Sequence, residues 1–180
     1  AENCHDNFVS LLINGNKDVP SKIYVVQEIK GGSTSTNYFY FKKTGHWMTQ
    51  MIDPANQGWV LAHNNVMYTS SDKGASWKKI RPMDSQENNE TNVKNVKQNA
   101  TTVKNATCGT EEFDGTVHNT FAADFTSLQG SKSDNHYKYW VHPKTGWISK
   151  ATYKLKSESF ESFTTQTIES VPDLELPTPN

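Results

Sequence analysis

From Pro20 onward the chain alternates apolar and polar residues in short segments, each cut off by a tight-turn signal. Lys22–Lys30, Thr36–Lys43, Trp47–Ile52, Gly58–His63, Val66–Ser70 and Ser76–Ile80 carry the period-two pattern. Between them lie Lys30-Gly31-Gly32-Ser33, Lys43-Thr44-Gly45, Asn64-Asn65 and Asp72-Lys73-Gly74. Gaps this short leave no room for crossover helices, so successive strands must pair antiparallel through hairpins. The pattern resumes over Thr107–Phe113, Thr116–Ser127, His136–His142, Trp147–Leu155 and Phe160–Ser170, with Asp134-Asn135 and Lys144-Thr145-Gly146 read as turns. About ten or eleven strands result, and a sheet of that many curls instead of staying flat.

Two stretches break the alternation. Cys4, Phe8, Leu11 and Leu12 recur at helical spacing, with Asn3 or Asp6 as a cap and Gly15 as a stop. The spacing predicts a short amphipathic helix over 3–15, which must lie on something to be stable. Residues 82–106 are rich in Asn, Gln, Lys and Thr, yet Val93, Val96, Ala100 and Val103 keep a helical stripe behind an Asp84/Glu87 capping pair. A surface helix near 86–103 is expected there, with a loop as the alternative. The expected organisation is one domain over 1–180: the N-terminal helix (1–15), a first strand meander (20–81), the polar helical insertion (82–106), a second strand set (107–170) and an extended, proline-bounded tail (171–180). The fold class is α+β and mostly β, an incomplete curved antiparallel β-barrel covered by two helices.

Charge removes some functions. Eighteen Lys+Arg stand against nineteen Asp+Glu, a formal net charge of −1, whereas a nucleic-acid binder needs a basic face to displace counterions. Arg81 is the sole arginine, so a clamp of several guanidinium groups on phosphate or carboxylate is excluded. No apolar run approaches the roughly 18 residues of a membrane-spanning helix. The start Ala1-Glu2-Asn3-Cys4 reads as an end left by signal-peptide cleavage, or as an artificial boundary; on the first reading the protein is periplasmic or secreted. Two cysteines in an exported chain imply one Cys4–Cys108 bridge, with two separate buried thiols as the alternative. The bridge would close a loop of about 100 residues, worth roughly 4–5 kcal/mol in the chain-entropy picture. Asn89, Asn99 and Asn105 each begin an Asn-x-Thr sequon, a glycan site only in a eukaryotic setting.

Motifs for chemistry are sparse. Ser70, Asp72, Gly74 and Trp77 match the Asp-box consensus of sialidase-like propellers. A propeller would repeat it in every blade, and here it occurs once, so it is read as a structural turn. His5, His46, His63, His118, His136 and His142 form no His-x-His or i, i+4 pair, and no metal site is expected. No Gly-x-Ser-x-Gly elbow, phosphate loop or dinucleotide fingerprint occurs, so neither a catalytic residue nor a cofactor is assigned. What remains is the ring and methionine content of the strands. Tyr24, Tyr38, Tyr40, Trp47, Met51, Trp59 and Met67 in the first set, and Phe121, Phe125, Tyr139 and Trp140 in the second, are candidate walls of a ligand cavity beneath the curved sheet. Ordinary core packing is the alternative for each.

The C-terminal third carries a further pattern: Phe121–Thr126, then Tyr139-Trp140-Val141-His142-Pro143-Lys144-Thr145-Gly146-Trp147, then the Thr-rich Phe163–Ile168 and the closing Pro172–Pro177. It resembles the periplasmic lipoprotein-carrier class, the LolA/LolB-like proteins. Those show a strand ending in Trp-hydrophobic-Asp-Pro-x-Thr-Gly; here His142 stands in place of the Asp. No Arg precedes Arg81 to match the carrier's lid-holding arginine, and Cys4 lacks a lipobox around it. The resemblance implies an incomplete barrel with a helical lid over a hydrophobic cavity for lipid or acylated partners. The expected function is therefore a non-enzymatic, monomeric binding protein for a lipid or other amphiphile, without nucleic acid. The alternatives are an interaction module for an envelope protein, and a carbohydrate-active protein suggested by the Asp box.

Overall fold

The structure, a computed structural model, describes residues 3–179. Ala1 and Glu2 of the expected cleaved start, and Asn180 of the expected tail, lie outside the described residues. The chain runs α1 (Cys4–Asn14), β1 (Ser21–Ile29), β2 (Thr34–Lys43), β3 (His46–Asp53), β4 (Trp59–His63), β5 (Val66–Ser70), β6 (Lys78–Pro82), α2 (Ser85–Ala100), β7 (Lys104–Phe113), β8 (Thr116–Ser127), β9 (Ser133–Val141), β10 (Ile148–Ser157) and β11 (Glu161–Ser170). Eleven strands form one antiparallel sheet in the order β6-β5-β4-β3-β2-β1-β11-β10-β9-β8-β7, and β6 and β7 do not pair with each other. This is the open, curved, mostly β architecture with two helices that the alternation predicts.

Local chemistry sets the helix ends. Asn3 Oδ1 accepts from Asp6 N at 3.0 Å at the start of α1, and Gly15 N donates to Leu11 O at 2.8 Å at its end. Asp84 Oδ1 accepts from Glu87 N at 2.9 Å to begin α2. These side chains satisfy amide groups that have no partner inside the helix. One expected turn is corrected. Asp134 and Asn135 lie within β9, and the reversal occurs at residues 128–132, where Gly130 has φ +58°. Asn135 is buried and its amide donates to Ser127 Oγ at 3.1 Å and Ser133 O at 3.2 Å. Paired in this way, a turn-forming residue type sits inside a strand without an orphaned polar group.

The sheet has two cores, one on each face. On the concave side Phe8 of α1, fully buried, meets Phe121, Ala123, Phe125, Tyr139, Ile148 and Ala151. Ala123 and Ala151 have no exposed surface, and such small residues let the helix approach the strands closely. On the convex side Met48, Leu61 and Trp77 form a second cluster, flanked by Tyr40, Trp59, Tyr68 and Leu176. The tail after β11 closes this outer cluster: Val171 N donates to Pro20 O at 2.9 Å, Leu174 is buried, and Leu176 packs on the cluster.

Candidate binding cavity and its surroundings

The Cys4–Cys108 bridge is present, tying α1 to β7 with Cα atoms 5.5 Å apart. It holds α1 across β7 and β8. A second clamp lies at the far end of the helix. The Asn16 side chain donates to Ile148 O at 3.0 Å and accepts from Ile148 N at 2.7 Å, binding the exit of α1 to the start of β10.

Between these two anchors, α1 and the concave face border a partly open cavity of about 490 Å³. Its walls are Leu11 and Leu12 from α1, Val96 from α2, and Ile23, Phe39, Phe41, Phe125, Ile148 and Ile168 from the sheet. Tyr137, Tyr139 and Tyr153 form one side, with Tyr137 and Tyr153 ring centroids 4.4 Å apart. Burial pushes all three phenols above their ordinary range, Tyr139 and Tyr153 most, so they remain uncharged donors. Tyr153 Oη donates to Gln166 Oε1 at 3.3 Å. Lys17 is the single lysine on the wall, and no carboxylate lines it among the described residues. The lining is mainly apolar, with a few polar side chains such as Asn99 and Gln166.

The residues singled out in the sequence divide by face. Phe125 and Tyr139 line the cavity, and Phe121 packs beside it in the same core. The register places Trp47 opposite Phe41 and Met51 opposite Asn37, so both share the concave face with Phe39, and Met67 follows through Ala62; none of the three lines the cavity. Tyr24, Tyr38, Tyr40, Trp59 and Trp140 have the opposite parity and stand on the convex face. Sequence reasoning passes over Tyr137, Tyr153, Ile23, Phe39 and Phe41. Ala123, Ala151, Tyr137 and Tyr153 share one face across β8, β9 and β10, and Phe8 of α1 packs there.

The Asp-box segment forms the turn between β5 and β6. Ser70 Oγ donates to Asp72 Oδ1 at 2.7 Å, and Gly74 N and Ser76 N donate to Ser70 Oγ and Asp72 Oδ1 at 2.8 Å each. Gly74 has φ +85°, and a Cβ there would meet the Trp59 ring at 3.1 Å. The hydrogen bonds from the Ser76 hydroxyl, Ser70 and the Ser76 amide hold the Asp72 carboxyl at about 2. A carboxyl lowered on folding stabilises the fold above its unfolded value and loses that contribution as pH falls toward 2. Asp72→Asn is therefore expected to show a smaller drop in melting temperature between pH 4 and pH 2 than the unaltered protein. Equal drops in the two proteins would contradict this.

Elsewhere, His46 and His63 face each other, Nε2 to Nδ1 at 3.4 Å, and burial followed by the neighbouring His63 lowers the His46 pKa. Among the described residues no group of three or more His, Cys, Asp or Glu is placed to hold a metal ion. No helix among them is long and apolar enough to cross a membrane.

No family model matches the chain, and no curated protein sequence matches it. Solved structures do align with it. The complex of MucA and MucB from Pseudomonas aeruginosa aligns with TM-score 0.47 and 15% identity, over 95% of this chain and 59% of that one. A LolA-superfamily protein from Nitrosomonas europaea aligns with TM-score 0.37 and 5% identity, over 96% and 94% of the two chains. An outer membrane lipoprotein-sorting protein domain from Vibrio parahaemolyticus gives 0.39 and 11%, over 95% and 92%. The layout that the LolA/LolB-like resemblance implied, an open curved sheet over a helical cover, is the layout observed. The chain spans less than two thirds of the length of the MucB-complex chain it aligns with.

Proposed function

We propose that this protein is an exported, non-enzymatic binding protein that takes the apolar part of a lipid or other amphiphile into the concave cavity. The observation that carries the reading is the cavity itself: about 490 Å³, walled by aliphatic and aromatic side chains, roofed by a helix anchored at both ends. Apolar walls left to water are stabilised when an apolar ligand segment covers them. Lys17, at the end of α1, is placed to meet an anionic or polar head group while the chain lies along Ile23, Phe39 and Tyr153. The Cys4–Cys108 bridge supports an oxidising compartment, periplasmic or extracellular, for this reading.

The test is displacement of an environment-sensitive naphthylamine dye by palmitate, with native mass spectrometry of gently purified protein. Dye binding with one-to-one displacement is expected. Ile23→Trp, which puts an indole into the space, should weaken dye binding about tenfold or more while the far-ultraviolet spectrum is retained. Absence of dye binding to delipidated protein, or an Ile23→Trp variant that binds as well as the original, overturns the reading.

A further inference from the structure

On the convex face a second recess of about 460 Å³ lies between the β7–β8 hairpin and strands β1, β2 and β11. It opens on the opposite face of the sheet from the concave cavity, and Ile168 of β11 borders both. Its chemistry also differs. Tyr24 and Tyr38 form one wall, with ring centroids 5.5 Å apart, and Phe113 forms the other. Tyr24 is 38% exposed although it is a large ring in the middle of the sheet. Between the walls stand Lys22, Asp114, Glu169, Thr167, His142 and Ser149.

The histidines fix the floor. His118 is buried; its Nδ1 lies 2.8 Å from Thr116 O and its Nε2 2.9 Å from Ser149 Oγ. A carbonyl only accepts, so the proton is on Nδ1 and Nε2 accepts the Ser149 hydroxyl. Ser149 sits at the register shift between Ile148 and Lys150, a bulge that turns it toward this face. His142 has the reverse arrangement: its Nδ1 accepts from Lys144 N at 3.2 Å and Thr145 N at 3.3 Å, leaving its proton on Nε2 as a donor. The recess thus offers donors from His142, Lys22 and the tyrosine hydroxyls, and acceptors from Asp114, Glu169 and Thr167. Its two carboxylates outnumber its one ammonium, which itself lies 4.5 Å above the Tyr38 ring. An anion finds no net attraction here.

Aromatic faces, electron-rich and edged by paired donors and acceptors of nearly balanced charge, match a molecule with C–H groups on its ring face and hydroxyls around its rim. We infer that this outer recess is a binding site for a neutral saccharide, stacked against Tyr24 and Tyr38 with Phe113 opposite. The site is separate from the proposed lipid cavity and does not depend on it.

Titration calorimetry of the full chain with maltotetraose, cellotetraose and chitotetraose tests it. At least one of the three should bind one-to-one, with little change between low and high salt, since no ion pair carries the contact. Tyr24→Ala and Tyr38→Ala should each weaken binding about tenfold, Tyr24→Phe should keep most of it through the retained ring, and Ile23→Trp should leave it unchanged. Tyr24 is partly exposed, so its variants are expected to fold, and far-ultraviolet spectra check this. No heat with any of the three sugars, preferential binding of inorganic phosphate, or full affinity in Tyr24→Ala overturns the inference. A failed dye assay with intact sugar binding would remove the lipid reading and leave this one standing.

Discussion

Replacing Cys4 and Cys108 together with Ser is expected to lower the melting temperature by roughly 10–20 °C. The bridge joins residues separated by 104 positions, so in the unfolded chain it forbids a large set of conformations. Loop closure of that length is worth about 4–5 kcal/mol, and a domain of this size loses about 2–4 °C per kcal/mol. The bridged native state also loses something local when the sulfurs part. α1 is a short helix with one apolar face, marginal by itself, and Cys4 is its first residue. Calorimetry of the double variant beside the oxidised protein measures the effect. A decrease of only a few degrees would mean that packing of α1, not the covalent tie, holds the helix in place.

Phe8→Ala should cost about 3–5 kcal/mol, read as a fall in the urea midpoint at unchanged slope. Phe8 has no exposed surface and its ring lies 5.5 Å from that of Tyr139. It fills the space over Ala123 and Ala151, positions too small to collapse into the gap it would leave. The vacated volume adjoins the cavity, so the variant is also expected to accept a bulkier dye than the original protein. A loss below about 1 kcal/mol would show that α1 can shift to refill the site.

Much of the architecture was legible in the chain because hairpin signals recur so regularly. Asn3, Gly15 and Asp84 mark helix ends by chemistry that acts within one turn. The bridge was expected from two cysteines in a chain read as exported, against the alternative of two separate thiols, and it is present. What could not be read was which face of the sheet is concave. Alternation defines the inside of a strand only where one parity is polar, and in β2 both parities carry rings: Tyr38 and Tyr40 on one, Phe39 and Phe41 on the other. Outer-face rings stay there because Trp77 and the tail residue Leu176 cover some of them and lysine ammonium groups lie over others, as Lys22 does over Tyr38 and Lys150 over Trp140. The lysine covers reach their rings across one strand pair, and the Leu176 cover comes from the far tail. The same distance hid the convex recess, where His118 of β8 and Ser149 of β10 meet only once β9 lies between their strands. Asp134-Asn135 misled for a different reason: Asn favours turns by bonding to nearby backbone, and here its amide is held by Ser127 of the neighbouring strand together with Ser133 O on its own strand.

The order of the strands has a consequence for how the chain reaches this state. Every ladder in the sheet joins strands adjacent in sequence, with one exception, β1 to β11. Two hairpin ribbons, β1 to β6 and β7 to β11, can therefore each grow from local contacts at little cost in chain entropy. Zipping Val25 against Gln166 and its neighbours is the step that brings distant segments together, and it governs the folding time. The bond from Cys4 to Cys108 links a residue just ahead of the first ribbon to the leading strand of the second. Once oxidised, it confines that encounter to a smaller volume, so oxidation accelerates the final closure as well as securing its product.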